Sequence, residues 1–173
     1  PLYSSAASDV YKRQVLKYAD LFNAVNQAED AFTVLAPTND AMFRFYTQRG
    51  VSSIEELGQT YARGLAEYHI MNDTIQRDDF LAGGELPVKT LSGDVLEVTF
   101  DESGEGGFNS VYINREARIK EFAISTANGL VYVLDDVLSP AIETIYERLS
   151  GHEEFRIFRE AVDRTGWKEE LSI

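Results

Sequence analysis

The hydrophobic pattern of this chain changes its period at Gly83-Gly84. Before this pair, apolar residues recur at helical spacing, as they do at Ile54, Leu57, Tyr61, Leu65 and Tyr68. After it, apolar residues alternate with polar ones, as they do at Leu96, Val98 and Phe100. A period of about 3.6 is typical of an amphipathic helix and a period of two is typical of a half-buried strand. Helices that come first and strands that follow predict an α+β fold rather than an alternating α/β fold.

Two helices and one strand are predicted before residue 50. An amphipathic helix is expected from Val15 onward, with an apolar face formed by Tyr18, Leu21, Phe22 and Val25. The segment Phe32–Ala36 predicts a short buried strand that ends at Pro37, whose fixed φ suits a turn. Thr38 is then expected to cap a helix that has Asp40 in its first turn, with apolar surface supplied by Met42, Phe43 and Phe45.

Turn residues mark the breaks between the later elements. Ser53 and Glu56 predict a capping box, and Gly58 is expected to divide the following helical segment into two short helices. The region of period two predicts a hairpin and three further strands: Val88–Leu91 with Val95–Phe100 around Ser92-Gly93-Asp94, then Val111–Asn114, Arg118–Ile124 and Leu130–Leu134, the last entered through Asn128-Gly129.

The charge and composition exclude several classes of function. The formal net charge is −13, from 16 Lys and Arg against 29 Asp and Glu, so we expect no nucleic-acid partner. The absence of cysteine rules out disulfides, thiolate metal sites and cysteine nucleophiles. No apolar run approaches the roughly 20 residues that a bilayer-spanning helix needs, so no membrane span is expected within the chain.

Four ordered motifs resemble the fasciclin domain family. Residues 32–42, with the sequence FTVLAPTNDAM, resemble the first signature of this family, and residues 128–140, NGLVYVLDDVLSP, resemble the second. Tyr68-His69 and Thr90–Gly93 fall between them in the family's order. The resemblance covers residues 15–140. It implies a β-wedge of two small sheets with a helical layer, often repeated in tandem, in extracellular or envelope proteins of adhesion and matrix contact.

The resemblance also suggests how the chain is divided. Residues 1–14 lack periodicity and are interpreted as a tail of non-native sequence. Residues 15–140 are interpreted as the fasciclin-like domain, and in one interpretation the tail has replaced part of its opening helix. Residues 141–173 align weakly with the start of the chain and are interpreted as the helical start of a truncated second repeat, with apolar faces on Ile142, Ile145 and Leu149 and on Phe155, Phe158 and Val162.

Two positions depart from the family's pattern. Fasciclin domains tied to integrin adhesion carry an Asp-Ile pair before the second signature, whereas this chain has Ala123-Ile124, which puts integrin-type binding in doubt. The second signature often has a His where this chain has Tyr132. The tyrosine keeps a ring that forms hydrogen bonds but loses a group that titrates near neutral pH.

Tyr68 and His69 are the candidate partner-binding residues. Each also has a structural interpretation, because Tyr68 continues an apolar helical stripe and His69 is expected to be buried and hydrogen-bonded. A catalytic His69 would need an orienting acid and a nucleophile such as Ser92, and nothing in the spacing indicates them. We therefore predict no catalytic residue and no enzyme activity.

No cofactor or metal site is predicted either. The loop at residues 101–107 contains oxygen ligands of the kind calcium prefers, but it lacks the alternating acidic spacing of an EF-hand, so a solvated loop is the alternative. The segment His152-Glu153-Glu154 fits no metal-ligand spacing and is interpreted as a solvated helix start.

These observations predict a non-catalytic interaction or adhesion module that is secreted or in the cell envelope and of bacterial origin. Its partner would be a protein or glycan surface, and the acidic charge favours a cationic or calcium-bridged one. The alternative is a small-molecule or lipid-binding module with a pocket between sheets and helices. A pocket lined by convergent polar groups would favour the alternative, and a flat acidic surface would favour adhesion.

Removal of residues 1–14 is expected to leave stability unchanged, because these residues offer no periodic apolar face to bury. Thermal unfolding of the chain with and without them measures this. A fall in the midpoint of more than about 4 °C, or roughly 1 kcal/mol for a domain of this size, would mean that the segment is structural.

Overall fold

The computed structural model describes residues 17–21, 31–101, 111–140, 145–150 and 153–171. The chain divides into two compact units, Pro1–Pro140 and Ala141–Ile173. The predicted tail, residues 15–16 and 22–25 of the predicted opening helix, His152 and all of the candidate calcium loop except Asp101 lie outside the described residues. The prediction that this helix continues through Leu21 is wrong, because among residues 17–21 only Lys17 and Tyr18 are helical and the chain then turns at Ala19 and Asp20, where Asp20 has a φ of 58°. None of the helices in the described ranges has the length and apolar character that crossing a bilayer requires.

The first unit combines helices with a sheet. Its elements in chain order are β1 (Phe32–Pro37), α1 (Asn39–Gln48), a 3₁₀ helix (Ile54–Leu57), α2 (Gln59–Tyr68), β2 (Ile70–Met71), α3 (Arg77–Ala82), β3 (Gly84–Glu85), β4 (Glu97–Phe100), β5 (Val111–Ile113), β6 (Ala117–Thr126) and β7 (Gly129–Leu134). The three named α-helices of this unit precede Gly83, and five of its strands follow that residue. The predicted α+β fold is therefore confirmed.

The strands form a sheet in the order β2-β1-β7-β6-β5-β4-β3. β1 and β7 are parallel, and the other neighbours are antiparallel. The two small sheets that the resemblance implies are joined through β6, which pairs with β5 near Ala117 and with β7 from Ile119 onward. The register along β6 shifts between Ile119 and Ile124, and Ala123 has a φ of 52° there. Such a bulge bends a strand, which allows β6 to belong to both halves of the wedge.

Two large apolar clusters and a small one at Ala19, Leu21 and Ala66 stabilise this unit. The main core takes residues from both halves of the sheet, including Leu35, Phe80, Leu96, Ile113, Ile119, Tyr132 and Leu134. The second cluster lies among α1, the 3₁₀ helix and α2, and it includes Ala41, Met42, Phe45, Tyr46, Ile54 and Leu65. Phe43 does not share the buried surface of Met42 and Phe45. It is 72% exposed, because helical spacing turns it away from that face.

Several predicted helix boundaries are confirmed and one cap is wrong. The Thr38 side-chain oxygen accepts a hydrogen bond from the Ala41 N–H at 3.2 Å, so Thr38 caps α1. Gly58, with a φ of 84°, separates the 3₁₀ helix from α2. Ser53 forms no side-chain cap, because the segment after it is a single 3₁₀ turn and not the start of an α-helix. A capping box occurs at α3 instead, between Gln76 and Asp79.

The predicted hairpin around Ser92-Gly93-Asp94 has a different first strand. β4 pairs with β3, where Gly84 lies opposite Val98, and not with Val88–Leu91. Pro87 provides the physical reason, because a residue without an N–H cannot continue the ladder that starts at β3. The chain after Pro87 runs to the other end of the sheet, where Thr90 pairs with Met71 of β2.

The second unit contains α4 (Ile145–Ser150), a 3₁₀ turn (Glu153–Phe155) and α5 (Arg156–Thr165). Tyr146 links the beginning and the end of the unit, because its N–H donates to the Leu171 carbonyl at 3.0 Å and its hydroxyl donates to Asp163 at 2.6 Å. Val162 is buried, whereas several large apolar side chains are exposed: Ile145, Ile157, Phe158 and Trp167. That this unit begins a second repeat stays a prediction.

The substitution Gly129→Ala is expected to cost more than about 3 kcal/mol of unfolding free energy or to prevent folding. Gly129 has a φ of 147°, and a Cβ atom there would lie 1.9 Å from the Phe32 carbonyl oxygen. Urea unfolding measures the loss. Gly50→Ala is the matched control, because Gly50 also has a positive φ but has open space around it. An equal loss of unfolding free energy in both variants would contradict the contact argument. The control should lose only about 1 to 2 kcal/mol, which is what a side chain costs at positive φ.

Candidate functional site

Tyr68 and His69 lie where a helix turns into the edge strand of the sheet. Tyr68 is the last residue of α2, His69 is its C-cap, and β2 begins at the next residue. The His69 carbonyl accepts a hydrogen bond from the Leu35 N–H of β1 at 2.8 Å. The backbone of both candidate residues is therefore fixed by the helix on one side and by β1 on the other.

The His69 imidazole is buried, with 6% of the residue exposed. Its Nδ1 lies 2.8 Å from the Leu65 carbonyl, and its Nε2 accepts a hydrogen bond from the Leu138 N–H at 3.1 Å. Because Nε2 accepts, the proton is on Nδ1, which donates to Leu65. Burial lowers the pKa of His69 to about 4, so the ring is neutral at pH 7. The prediction that His69 is buried and hydrogen-bonded is confirmed.

The candidate nucleophile Ser92 belongs to a local turn network. Its hydroxyl donates to the Asp94 carboxylate at 2.6 Å and lies 2.8 Å from the Thr90 hydroxyl. His69 uses both ring nitrogens for backbone partners, so neither nitrogen is left to act as a base for Ser92. The geometry therefore gives His69 a structural role, while the absence of enzyme activity stays a prediction.

Tyr68 differs from His69 because it is only half-buried. Its ring packs against the main core, and its hydroxyl oxygen accepts a hydrogen bond from the Asn114 side-chain amide at 3.0 Å. Burial raises the pKa of Tyr68, and the negative charges of Glu116 and Asp94 raise it further. The hydroxyl therefore keeps its proton at neutral pH, in the electrostatic field of two carboxylates.

Tyr68, Asp94, Asn114 and Glu116 are together called the Tyr68 cluster below. Asn114 lies in the turn between β5 and β6 with a φ of 52°, and its side-chain oxygen accepts from the Glu97 N–H at 2.8 Å. Glu116 accepts from the Ser139 N–H at 2.9 Å. Backbone bonds thus hold two members of the cluster in place. Sequence reasoning missed the three polar members because all of them are more than 20 residues from Tyr68 in sequence.

Tyr132 occupies the centre of the main core. It is fully buried, and its hydroxyl donates to the Ile75 carbonyl at 2.7 Å. Burial raises the pKa of Tyr132 to about 12, so the ring does not ionise in the physiological range. The Phe80 ring centroid lies 4.3 Å from that of Tyr132, and the Phe122 centroid lies 5.9 Å from it. Aromatic rings therefore fill this part of the interior.

The other candidate positions offer few groups that could bind a ligand or a metal ion. Ala123 presents only a methyl group at the β6 bulge, where the integrin-linked pattern has a carboxylate. Across the part of the chain that the structure describes, no group of three or more His, Asp or Glu is placed to hold a metal ion. Residues 102–107 of the candidate calcium loop lie outside the described ranges, so the expectation of a solvated loop without a metal site stays a prediction.

Protonation of His69 is expected to destabilise the fold in acid. The folded-state pKa is about 4 and the ordinary value is 6.5, so the unfolded chain binds the proton more readily. The contribution of neutral His69 is complete above pH 6.5 and is lost as the pH falls toward 4, at up to about 1.4 kcal/mol per pH unit. Urea unfolding at several pH values measures this slope.

The variant His69→Ala should also lose about 2 to 4 kcal/mol at pH 7, because it leaves a cavity and removes the partner of the Leu138 N–H. His69→Gln is the second comparison, because it removes the titrating ring, while His152 and the carboxylates remain in both proteins. A wild-type slope between pH 4 and 6.5 that equals the His69→Gln slope would contradict the assignment.

The comparisons with known proteins agree with this architecture. A sequence profile described as the fasciclin domain matches residues 12–140. Periostin of Homo sapiens is 30% identical over 122 residues, which are 70% of this chain and 13% of periostin. Transforming growth factor-beta-induced protein ig-h3 of Oryctolagus cuniculus is 30% identical over 131 residues, which are 75% of this chain and 18% of that protein. The chain therefore spans only a small part of the length of these relatives. The bacterial origin stays a prediction.

A solved structure of a FAS1 domain pair from the insect cell adhesion molecule fasciclin I has a similar fold. The TM-score is 0.54 at 17% identity, and the likeness covers 95% of this chain and 57% of that one. At this identity the likeness concerns the fold alone. Because the profile matches most of the chain and both relatives are 30% identical over at least 70% of it, the chain belongs to the fasciclin domain family.

Proposed function

We propose that the first unit is a non-catalytic adhesion module that is secreted or held in the cell envelope and binds a protein or glycan surface. Membership of the fasciclin family supports this proposal, as does the fold shared with an insect cell adhesion molecule. The net charge of −13 favours a partner with a cationic surface. Adhesion through a surface also needs a rigid backbone beneath that surface. Hydrogen bonds from Leu35 and Leu138 to His69 hold the end of α2 in place.

The Tyr68 cluster is the observation that carries the proposal. It combines a half-buried aromatic ring, which keeps its hydroxyl proton, with the carboxylates of Asp94 and Glu116. Such a combination suits the aliphatic stem and charged head of a Lys or Arg side chain on a partner. The hydroxyl and the Asn114 amide could also bind the hydroxyl groups of a glycan. We therefore place the binding surface at this cluster.

His69 has an indirect role in this proposal. It is buried and bonded to Leu65 and Leu138, so it acts as a positioning residue behind Tyr68. The two rings meet edge to face with centroids 6.3 Å apart. A partner would thus contact Tyr68, while His69 fixes the end of α2 that carries it.

The filled interior favours a surface mode of binding over the alternative of a small-molecule or lipid pocket. Phe80 of α3 packs against Phe122 of β6 and Tyr132 of β7 in the main core, where helix and sheet meet and such a pocket would lie. For the second unit, we propose the start of another fasciclin repeat. Its exposed Ile157, Phe158 and Trp167 support this, because a helix pair with an uncovered apolar face needs further structure to pack against.

The double variant Asp94→Asn and Glu116→Gln tests the proposed surface. Removal of both charges should weaken binding to immobilised basic extracellular proteins, and to a lysine-rich reference peptide, by about fivefold or more. The amide side chains keep an oxygen that can accept the Ser92 and Ser139 hydrogen bonds, so the fold should survive. Surface plasmon resonance at low and high salt measures the binding.

The matched control is Asp78→Asn with Glu85→Gln, which removes the same charge at exposed positions of α3 and β3. Equal weakening in both double variants would mean that only net charge matters, and the Tyr68 cluster would no longer be the binding surface. Thermal unfolding of all three proteins controls for stability.

A further inference from the structure

The loop between β2 and α3 contains the tripeptide Asn72-Asp73-Thr74. This tripeptide has the form Asn-x-Thr, the acceptor sequence for N-linked glycosylation, and its middle residue is not proline. It is the single tripeptide of the form Asn-x-Ser or Asn-x-Thr in the sequence. A short motif carries meaning only in the right context, which is an accessible surface loop.

Both recognition groups of the tripeptide are available in the folded chain. Asn72 is exposed, and Thr74 is half-buried. Within the described ranges, neither the Asn72 amide nor the Thr74 hydroxyl takes part in a hydrogen bond. A sugar attached to the Asn72 amide nitrogen would therefore break no bond that holds the fold together.

The loop backbone is nevertheless fixed. Met71 and Ile75 are buried on either side of the tripeptide, with 0% and 2% exposed. The Thr33 hydroxyl of β1 donates to the Asp73 carbonyl at 2.7 Å and accepts from the Ile75 N–H at 2.8 Å. These contacts hold the loop while Asn72 faces solvent, so the folded domain can carry a bulky group at this position.

We propose that Asn72 is the acceptor of an N-linked glycan. The Asn72 amide nitrogen attacks C1 of the first sugar of a polyprenyl-pyrophosphate-linked oligosaccharide. The new N–C bond forms, the sugar–phosphate bond breaks, polyprenyl pyrophosphate leaves and the amide gives up one proton. The Thr74 hydroxyl is the second group that the transferase recognises. This inference rests on the proposed secreted location, and it requires a host whose secretory pathway has an Asn-x-Thr oligosaccharyl transferase in place of the predicted bacterial origin.

The glycan would extend from the β2 end of the sheet. Met71, which precedes the acceptor, pairs with Thr90, and the Leu91 N–H donates to the Ile70 carbonyl at 2.7 Å. Leu91 is 37% exposed beside this edge. A hydrophilic glycan at Asn72 would shield the edge and its exposed leucine from association with other chains.

The experiment is secretion of the full chain from cultured animal cells with an added signal peptide. The secreted protein should show a mobility shift that peptide-N-glycosidase removes, and mass spectrometry should then find Asp in place of Asn72. Asn72→Gln and Thr74→Val should lose the shift. Thr74→Ser is the matched control, because it keeps a hydroxyl and should keep the modification.

Secreted wild-type protein with an unmodified Asn72 would overturn the inference, as would a shift that persists in Asn72→Gln. Circular dichroism of the secreted proteins checks that the variants fold, and the wild-type and Thr74→Ser proteins decide the question if Thr74→Val is not secreted. Because the signal is supplied, a negative result cannot be ascribed to location. The binding test of the Tyr68 cluster uses enzymatically deglycosylated protein. Failure of the binding proposal can therefore be distinguished from failure of the glycosylation proposal.

Discussion

The parallel pairing of β1 with β7 is the constraint on which the rest of the fold depends. It joins the two signature segments from opposite ends of the domain in one unbroken register, from Phe32 opposite Gly129 to Pro37 opposite Leu134. Gly129 makes the first pair possible, because the Phe32 carbonyl occupies the space of a Cβ atom. Closing so long a loop costs entropy before any contact is gained. The signatures are therefore motifs of chain closure, and the rest of the sheet is built outward from this pair.

Three buried polar side chains fasten the remaining elements to this pair. Thr33 of β1 binds the loop before α3, Tyr132 of β7 binds Ile75 in the same loop, and His69 binds Leu138 after β7. Each of them uses a hydrogen bond to backbone where water cannot compete, so loss of one partner leaves an unsatisfied group. Tyr132 stands where the second signature often has a His. Its hydroxyl donates to the Ile75 carbonyl, and burial keeps its ring uncharged.

The sequence predicted local features well and long-range ones poorly. The Thr38 cap and the break at Gly58 depend on neighbouring residues alone, so their patterns could be recognised directly. The partner of β4 depends on Pro87 and on the far edge of the sheet, and local alternation indicated the wrong strand. The same limit applies to the site. Tyr68 and His69 belong to one sequence motif. Asn114 reaches Tyr68 from a turn with positive φ, and only the folded sheet defines where that turn lies.

Different residues of this domain maintain the fold and form the proposed binding surface. This separation affects how a partner can be selected. The signature residues Thr33, Leu35 and Tyr132 are buried, so a partner cannot contact them. A substitution at any of them would affect folding before it affected binding. Asp94 and Glu116 lie in turns outside both signatures, where a change of charge leaves the core untouched. Partner choice can therefore vary among fasciclin domains that keep the same closure motifs. In this chain the two positions are acidic, which favours the proposed basic partner, and their negative charges add to the effect of burial in raising the pKa of Tyr68.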